Sequence, residues 1–172
     1  KPKYIGSADI PDLESPLADI ETRHRVYSSL LSKLTLASDH KDNLLNRGLN
    51  EEAIARLGYK STPAVGMPAI AKKIVGEELN PSGVPGFYRL DNGDWTFVNE
   101  QRGILIPVCD EHRKIQAIQI RRDNVQKRKF RWFSSVDRKD GRHAEGWTHI
   151  AGPIRSLMLI TEGPMKADII HV

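Results

Sequence analysis

The chain has 172 residues, 39% of them hydrophobic and 28% charged, a balance that excludes disordered and fibrous classes and fits one globular domain or two small ones. No apolar run approaches the ~20 residues that a membrane helix needs, and a single cysteine, Cys109, excludes an internal disulfide and any cysteine-rich zinc site. The net charge of +4 is local: residues 121–142 hold nine Lys/Arg against three Asp, a surplus of +6, which leaves −2 for the rest. Local cations interleaved with aromatics are the electrostatic footprint of nucleic-acid binding, and they are also what a solvated hairpin face looks like. No signal peptide is visible, and the first residue is Lys1 rather than Met, so the expectation is a processed chain or a fragment, cytoplasmic by default.

Residues 1–20 carry three prolines among mixed polar residues and read as an arm or linker. A helical part is expected over residues 21–80. In "ETRHRVYSSLLSKLTL", Val26, Tyr27, Leu30, Leu31 and Leu34 recur at helical spacing. Ser38 is placed to cap a second short helix that Gly48 stops, and Asn50 a third, "EEAIARLG", with Glu51 and Glu52 in its positive first turn and Gly58 at its end. Pro68 opens a fourth. Past Gly83 the period becomes two, and residues 81–153 read as a mostly antiparallel β part. "GFYRL-DNGD-WTFV" is a hairpin about Asn-Gly, and "GILIPV-CDEHRK-IQAIQI" is a second hairpin. "KFRWFSS" is a further strand, and "RSLMLIT" reads as a buried strand running into a turn and a helix. Helices followed by an antiparallel sheet argue an α+β fold, with a second domain beginning near Ile154.

Two places carry chemistry. Glu162, at the end of the expected last strand and before a helix, sits where α/β folds gather ligands. Such a carboxylate suits Mg²⁺ held together with substrate phosphates, or a proton carrier, or only complements a helix N-terminus. In the basic strand, Lys129 and Arg131 share one face and are suited to phosphodiester oxygens, as is Arg121. Phe130 and Trp132 share the other face, which either packs on the core or offers Trp132 to a base. The six histidines form no metal motif and each reads as a surface or loop residue. Cys109 reads as a small, partly buried residue at a strand end. Ser134 and Ser135 have no general base near in sequence. No Walker loop, dinucleotide fingerprint, nucleophile elbow or zincin motif occurs.

In this order, "NRGLNEEAIARLGY", "RGILIPVCDEHRKIQAIQIRR", "RKFRWFSS" and "IRSLMLITEGPMKADII" resemble the RNA-polymerase core of DnaG-type primases, over roughly Tyr27 to Ala167. The variants "GVPGFY" and "TEGPMKAD" are most similar to primase-like proteins of phages, plasmids and other mobile elements. The resemblance implies an N-terminal helical bundle and antiparallel sheet ending, at residues 154–172, in the first strand–helix unit of a truncated Toprim domain. It implies that Glu162 is the Toprim catalytic glutamate, one carboxylate of a partial Mg²⁺ or Mn²⁺ site, and that Arg102, Arg121 and Lys129 bind template; Arg131, on the same strand face as Lys129 but in a loop longer than the family's, is expected from its position to join them. Ser134 and Ser135 match an Asn-Ser pair only in part, and Asp168 comes later than the family's acidic position. The implied partners are single-stranded DNA, ribonucleotides and a replicative helicase, with no membrane. The Toprim Asp-x-Asp does not occur in the chain, so the resemblance implies a primase fragment that does not polymerise by itself. A single-stranded-DNA-binding module of a mobile-element replication protein is the alternative, and a Toprim nuclease or topoisomerase relative is a third.

Overall fold

In the computed structural model the described residues are 15–172, so the expected arm lies largely outside them. The helical spacing of the first apolar run becomes α1 (Ile20–Ser32), capped by Asp19, whose side chain accepts from the Thr22 N–H at 2.7 Å. Val26, Tyr27 and Leu30 are fully buried, and Leu34, just past the helix, is buried with them. Next comes α2 (Ser38–Leu45), with Ala37 at the N-cap. Ser38 is the first helical residue and not the cap; the Ala37 N–H is taken instead by Ser61 Oγ, at 2.8 Å, from across the fold. The next helix, α3 (Glu51–Leu57), starts as expected, with Asn50 Oδ1 accepting from the Ala53 N–H at 2.8 Å. It ends on Gly58 at φ 72°, a left-handed position that suits glycine. A two-residue strand, β1 (Lys60–Ser61), leads to α4 (Met67–Gly76), which has a proline in its first turn.

The expected hairpins both form. β2 (Phe87–Arg89) and β3 (Trp95–Phe97) pair about the Asn-Gly turn as a small separate sheet. β4 (Gly103–Cys109) and β5 (Ile115–Arg122) are the centre of an antiparallel sheet of order β1-β4-β5-β6, with β6 (Phe130–Trp132) at one edge. Alternate residues of β4 face opposite ways, and both ways are covered, which is why "GILIPV" is apolar without interruption. Leu105 joins a larger core with α1, α4 and the β2–β3 hairpin. Ile104 and Ile106 join a smaller one with Leu44, Ile54, Tyr59 and Met165. The larger core centres on Phe133, whose ring meets those of Tyr27, Phe87 and Phe97 at 6.0 to 6.3 Å between centroids. A Cβ at Gly86 would stand 2.0 Å from the Phe133 ring, so only glycine lets the backbone pass there.

Two expectations fail in the last third. In the basic strand the buried aromatic is Phe133, 1% exposed, whereas Phe130 is 44% exposed. The Lys129–Arg131–Phe133 face is therefore the one that reaches the core, and Trp132 packs edge-on against Trp147 at 6.1 Å. Residues 155–161 form no strand. Leu157, Leu159 and Ile160 are 72% to 96% exposed, as expected of this run when no neighbouring strand pairs with it. The chain re-enters the core only at α5 (Pro164–His171), which lays Met165 and Ile169 onto the smaller core beside β4.

Candidate nucleic-acid interface

The antiparallel register fixes where the cations go. Arg121, in the last turn of the β5 ladder, pairs with Ile104 on one side and Phe130 on the other, so its side chain leaves the sheet on the smaller-core face. There it lines an open hollow of about 640 Å³ together with Arg102, Arg122 and Lys129. Against these four cations stand two carboxylates, Asp39 and Asp123. Three of the four residues that the sequence marked for nucleic acid thus meet in one place, although Arg102 lies on the loop before β4 and Lys129 on the loop before β6.

Arg121 is the unusual member. It is 7% exposed, and its Nε is buried without a hydrogen-bond partner. Among the described residues no carboxylate lies within ion-pair distance of it. Burial, and then the charge of Arg47, push its guanidinium down from the usual arginine range, and the carboxylate of Asp123 offsets this only in part. A buried cation without a counter-ion is costly unless an anion is supplied. The other cations are differently engaged. Arg102 donates to Asp39 at 2.6 and 2.8 Å and to Asp123 at 2.8 Å. Arg122 ties down the loop before β6 through the Lys127 and Arg128 carbonyls and reaches Gln101 Oε1 at 2.9 Å. Lys129 is exposed.

Arg131 is not brought to this hollow. It lines a neighbouring one of about 620 Å³ with Trp132 and Glu100, and its guanidinium is 3.1 Å from the Glu100 carboxylate. Arg122 lines both hollows. Glu162 stands apart from either. It is exposed on the turn before α5 rather than at a strand end, with its carboxylate paired to Lys166. The same lysine lowers its acidity range below that of a free glutamate. Among the described residues no three His, Cys, Asp or Glu side chains are grouped to hold a metal ion, and a lone exposed carboxylate does not form a Mg²⁺ site. The residues present therefore do not by themselves fit the expected metal.

Two histidines expected at the surface are buried in polar networks. His40 is 3% exposed, with Nδ1 2.6 Å from Ser61 Oγ and Nε2 2.8 Å from Asp123 Oδ2. It thereby positions Asp123 at the wall of the hollow. The His149 side chain is 6% exposed; its Nδ1 accepts the Cys109 N–H at 3.0 Å and its Nε2 lies 3.0 Å from Asp168 Oδ1. Asp168, 2% exposed, also accepts from the Tyr59 hydroxyl at 2.6 Å. Asp168, which comes later than the acidic position of the resemblance, is a buried anchor for α5. Ser134 and Ser135 serve as acceptors within their own loop, Ser135 Oγ also donating to the Phe87 carbonyl at 2.7 Å. Asp39, His40 and Asp123 were missed because their partners lie 63, 21 and 83 residues away. The only local signal was the acidic "SDHKD" at the opening of α2.

No protein-family model matches the chain, and no curated protein matches it. Its fold matches solved DnaG primase structures. One is the RNA polymerase domain of Mycobacterium tuberculosis primase DnaG, solved with a double-stranded DNA oligomer carrying a 6-nucleotide overhang: 12% identical, TM-score 0.54, covering 70% of this chain and 40% of that one. Another is the Aquifex aeolicus primase, zinc-binding and RNA polymerase domains: 15% identical, TM-score 0.50, covering 74% of this chain and 33% of that one. The fold, an α+β arrangement of helices followed by an antiparallel sheet, is thus similar to part of a DnaG RNA polymerase domain. The chain spans about 40% of the length of the first of these structures. None of the described helices is long and apolar enough to cross a membrane.

Proposed function

We propose that the chain is part of a DnaG-type primase core whose basic hollow holds the phosphates of a single-stranded DNA template during RNA primer synthesis. The observation that carries this reading is Arg121, a largely buried arginine with no carboxylate within ion-pair distance and an unpartnered, buried Nε, lining a hollow that also holds Arg102, Arg122 and Lys129. A phosphodiester supplies the missing anion, and a second and third cation at the rim hold the neighbouring phosphates. Arg131 continues the basic surface into the adjoining hollow. The likeness of fold to a primase domain solved with overhanging DNA supports the same choice of ligand.

In this reading residues 21–153 are the helical and β parts of the N-terminal subdomain, and residues 154–172 belong to the opening unit of a Toprim domain. Glu162 is then one catalytic carboxylate among several, and a divalent metal there takes its remaining ligands from other carboxylates. Ribonucleotides, a replicative helicase partner, a cytoplasmic setting and an origin in a phage, plasmid or mobile element follow from the primase reading. The alternative is a module that holds single-stranded DNA without making primers; the hollow serves either equally, and a primer-synthesis assay of the intact protein separates them.

The test is fluorescence anisotropy of a labelled single-stranded oligonucleotide against this chain over a salt series. Affinity should fall steeply with salt, and Arg121→Ala and Lys129→Ala should each flatten the log–log slope by about one unit. Absence of binding at low salt, or slopes unchanged by both substitutions, overturns the reading.

A further inference from the structure

Arg102 reaches the hollow already engaged. Its two terminal nitrogens donate to the two oxygens of Asp39 at 2.8 and 2.6 Å, the forked geometry that a phosphate also accepts. One of them donates in addition to Asp123 Oδ2 at 2.8 Å. The two carboxylates are held very differently. The Asp123 side chain is 16% exposed, shares Oδ2 with His40, and its backbone N–H is bonded to the Arg102 carbonyl at 3.0 Å. The Asp39 side chain is 59% exposed, on the first turn of α2, at the solvent side of the guanidinium. Arg102 holds the Asp39 carboxyl down to about 2, so it is charged throughout the neutral range.

The geometry points to Asp39 as an internal stand-in for phosphate: a phosphodiester entering the hollow displaces the Asp39 carboxylate from Arg102, while Asp123 remains and keeps the guanidinium aimed. This rests on the reading of the hollow as a phosphate site. Asp123 cannot leave without stranding the buried His40, whereas Asp39 has water to go to. The exchange is one anion for another, so Arg102 contributes to strand binding only the difference between the two. Asp39 also repels the incoming charge. An isolated anion at the hollow therefore gains little, and the exchange favours a strand that engages Arg121 and Lys129 at the same time. Asp39 is thus an affinity-setting residue, not one that recognises the ligand.

The experiment measures single-stranded oligonucleotide binding by the whole chain and by Asp39→Asn, Asp42→Asn, Arg102→Ala and the Asp39→Asn/Arg102→Ala double variant, at low salt. Asp42 is an exposed acid of the same helix outside the hollow, so its variant reports the general effect of removing one negative charge. Asp39→Asn should tighten binding about three- to tenfold, against less than about twofold for Asp42→Asn, since an exposed pair is worth only a modest factor. Without Arg102 the Asp39→Asn gain should shrink to that of Asp42→Asn. Asp39→Ser, which keeps a polar first turn, serves as the second variant if Asp39→Asn melts early. An Asp39→Asn gain no larger than that of Asp42→Asn, or one that survives loss of Arg102, overturns displacement. If binding depends on Arg121 and Lys129 while Asp39→Asn is neutral, displacement falls and the interface stands. If nothing binds, Asp39→Asn included, the interface falls and displacement with it.

Discussion

The chain buries the side chains of two histidine–aspartate pairs, one at each end of β4, and puts them to different uses. In both, a carboxylate accepts from the ring Nε2–H. The Cys109 N–H points at His149 Nδ1, so the ring hydrogen is on Nε2 and goes to Asp168. The Asp123 carboxylate accepts from His40 Nε2, while Ser61 Oγ, which accepts the Ala37 N–H, keeps a hydrogen and a second lone pair to offer His40 Nδ1. They differ in the third member. Asp168 takes the hydroxyl of Tyr59, itself 1% exposed, and burial and the neighbouring carboxylate push that hydroxyl well above the usual tyrosine range. Asp123 takes Arg102, a cation with about half of its side chain in water. A sealed triad has no free valence and can only hold two elements together, here α5 and β4. An open one turns buried hydrogen bonds into the aim of an exposed charge.

That contrast predicts that one network answers to stability and the other to binding. The largest effect belongs to the sealed side: Asp168→Ala leaves the Tyr59 hydroxyl and the His149 N–H without their acceptor and should cost about 3 kcal/mol of unfolding free energy. Urea titration measures it, and the affinity of the folded chain for single-stranded DNA should not change. A cost below about 1 kcal/mol would mean that α5 is not latched by this triad.

Cys109 tests the same side chemically. Burial pushes its thiol up from 9.0 to about 11. Thiolate at pH 8 should then be about 100-fold scarcer in the native chain than in the unfolded one, and alkylation slower to match. Because the folded value is the raised one, the protonated thiol favours the fold below about 9, and that contribution is lost as pH rises through about 11. Equal alkylation rates with and without urea would show that the sealed side opens readily.

The smallest effect is expected on the open side. Arg121→Met should lower affinity for single-stranded DNA about tenfold while raising stability by about 1 kcal/mol, because it removes a buried charge that the carboxylate of Asp123 offsets only in part. Binding and thermal unfolding of one purified variant give both numbers. A loss of stability would make Arg121 a structural anchor and erase the distinction between the two sides.

Elements set by neighbours in sequence were legible. The apolar spacing of α1, the Asn50 cap and Gly58 stop of α3, the Asn-Gly hairpin and the β4–β5 hairpin follow from contacts a few residues apart, where side-chain period and turn chemistry decide the outcome. The doubly apolar β4 and the gathering of cations near residue 121 were visible for the same reason. Ser38 was misplaced because its neighbour's N–H found an acceptor on β1. "RSLMLIT" has the composition of a strand, but composition supplies no partner, and a strand without one has nowhere to place its hydrogen bonds. The choice of Phe133 over Phe130 and Trp132 as the core aromatic depends on the space that Gly86 leaves open, 47 residues earlier in the chain. So the sequence by itself determined the four helices, the two hairpins and the basic strand, their order and the sign of the charged surface, all of which rest on local spacing. Only the tertiary structure decided that Arg102, Arg121 and Lys129 share one hollow, that Asp39 and Asp123 occupy it with them, and that His40 and His149 are buried. Each of those depends on an approach between segments tens of residues apart, which no local pattern encodes.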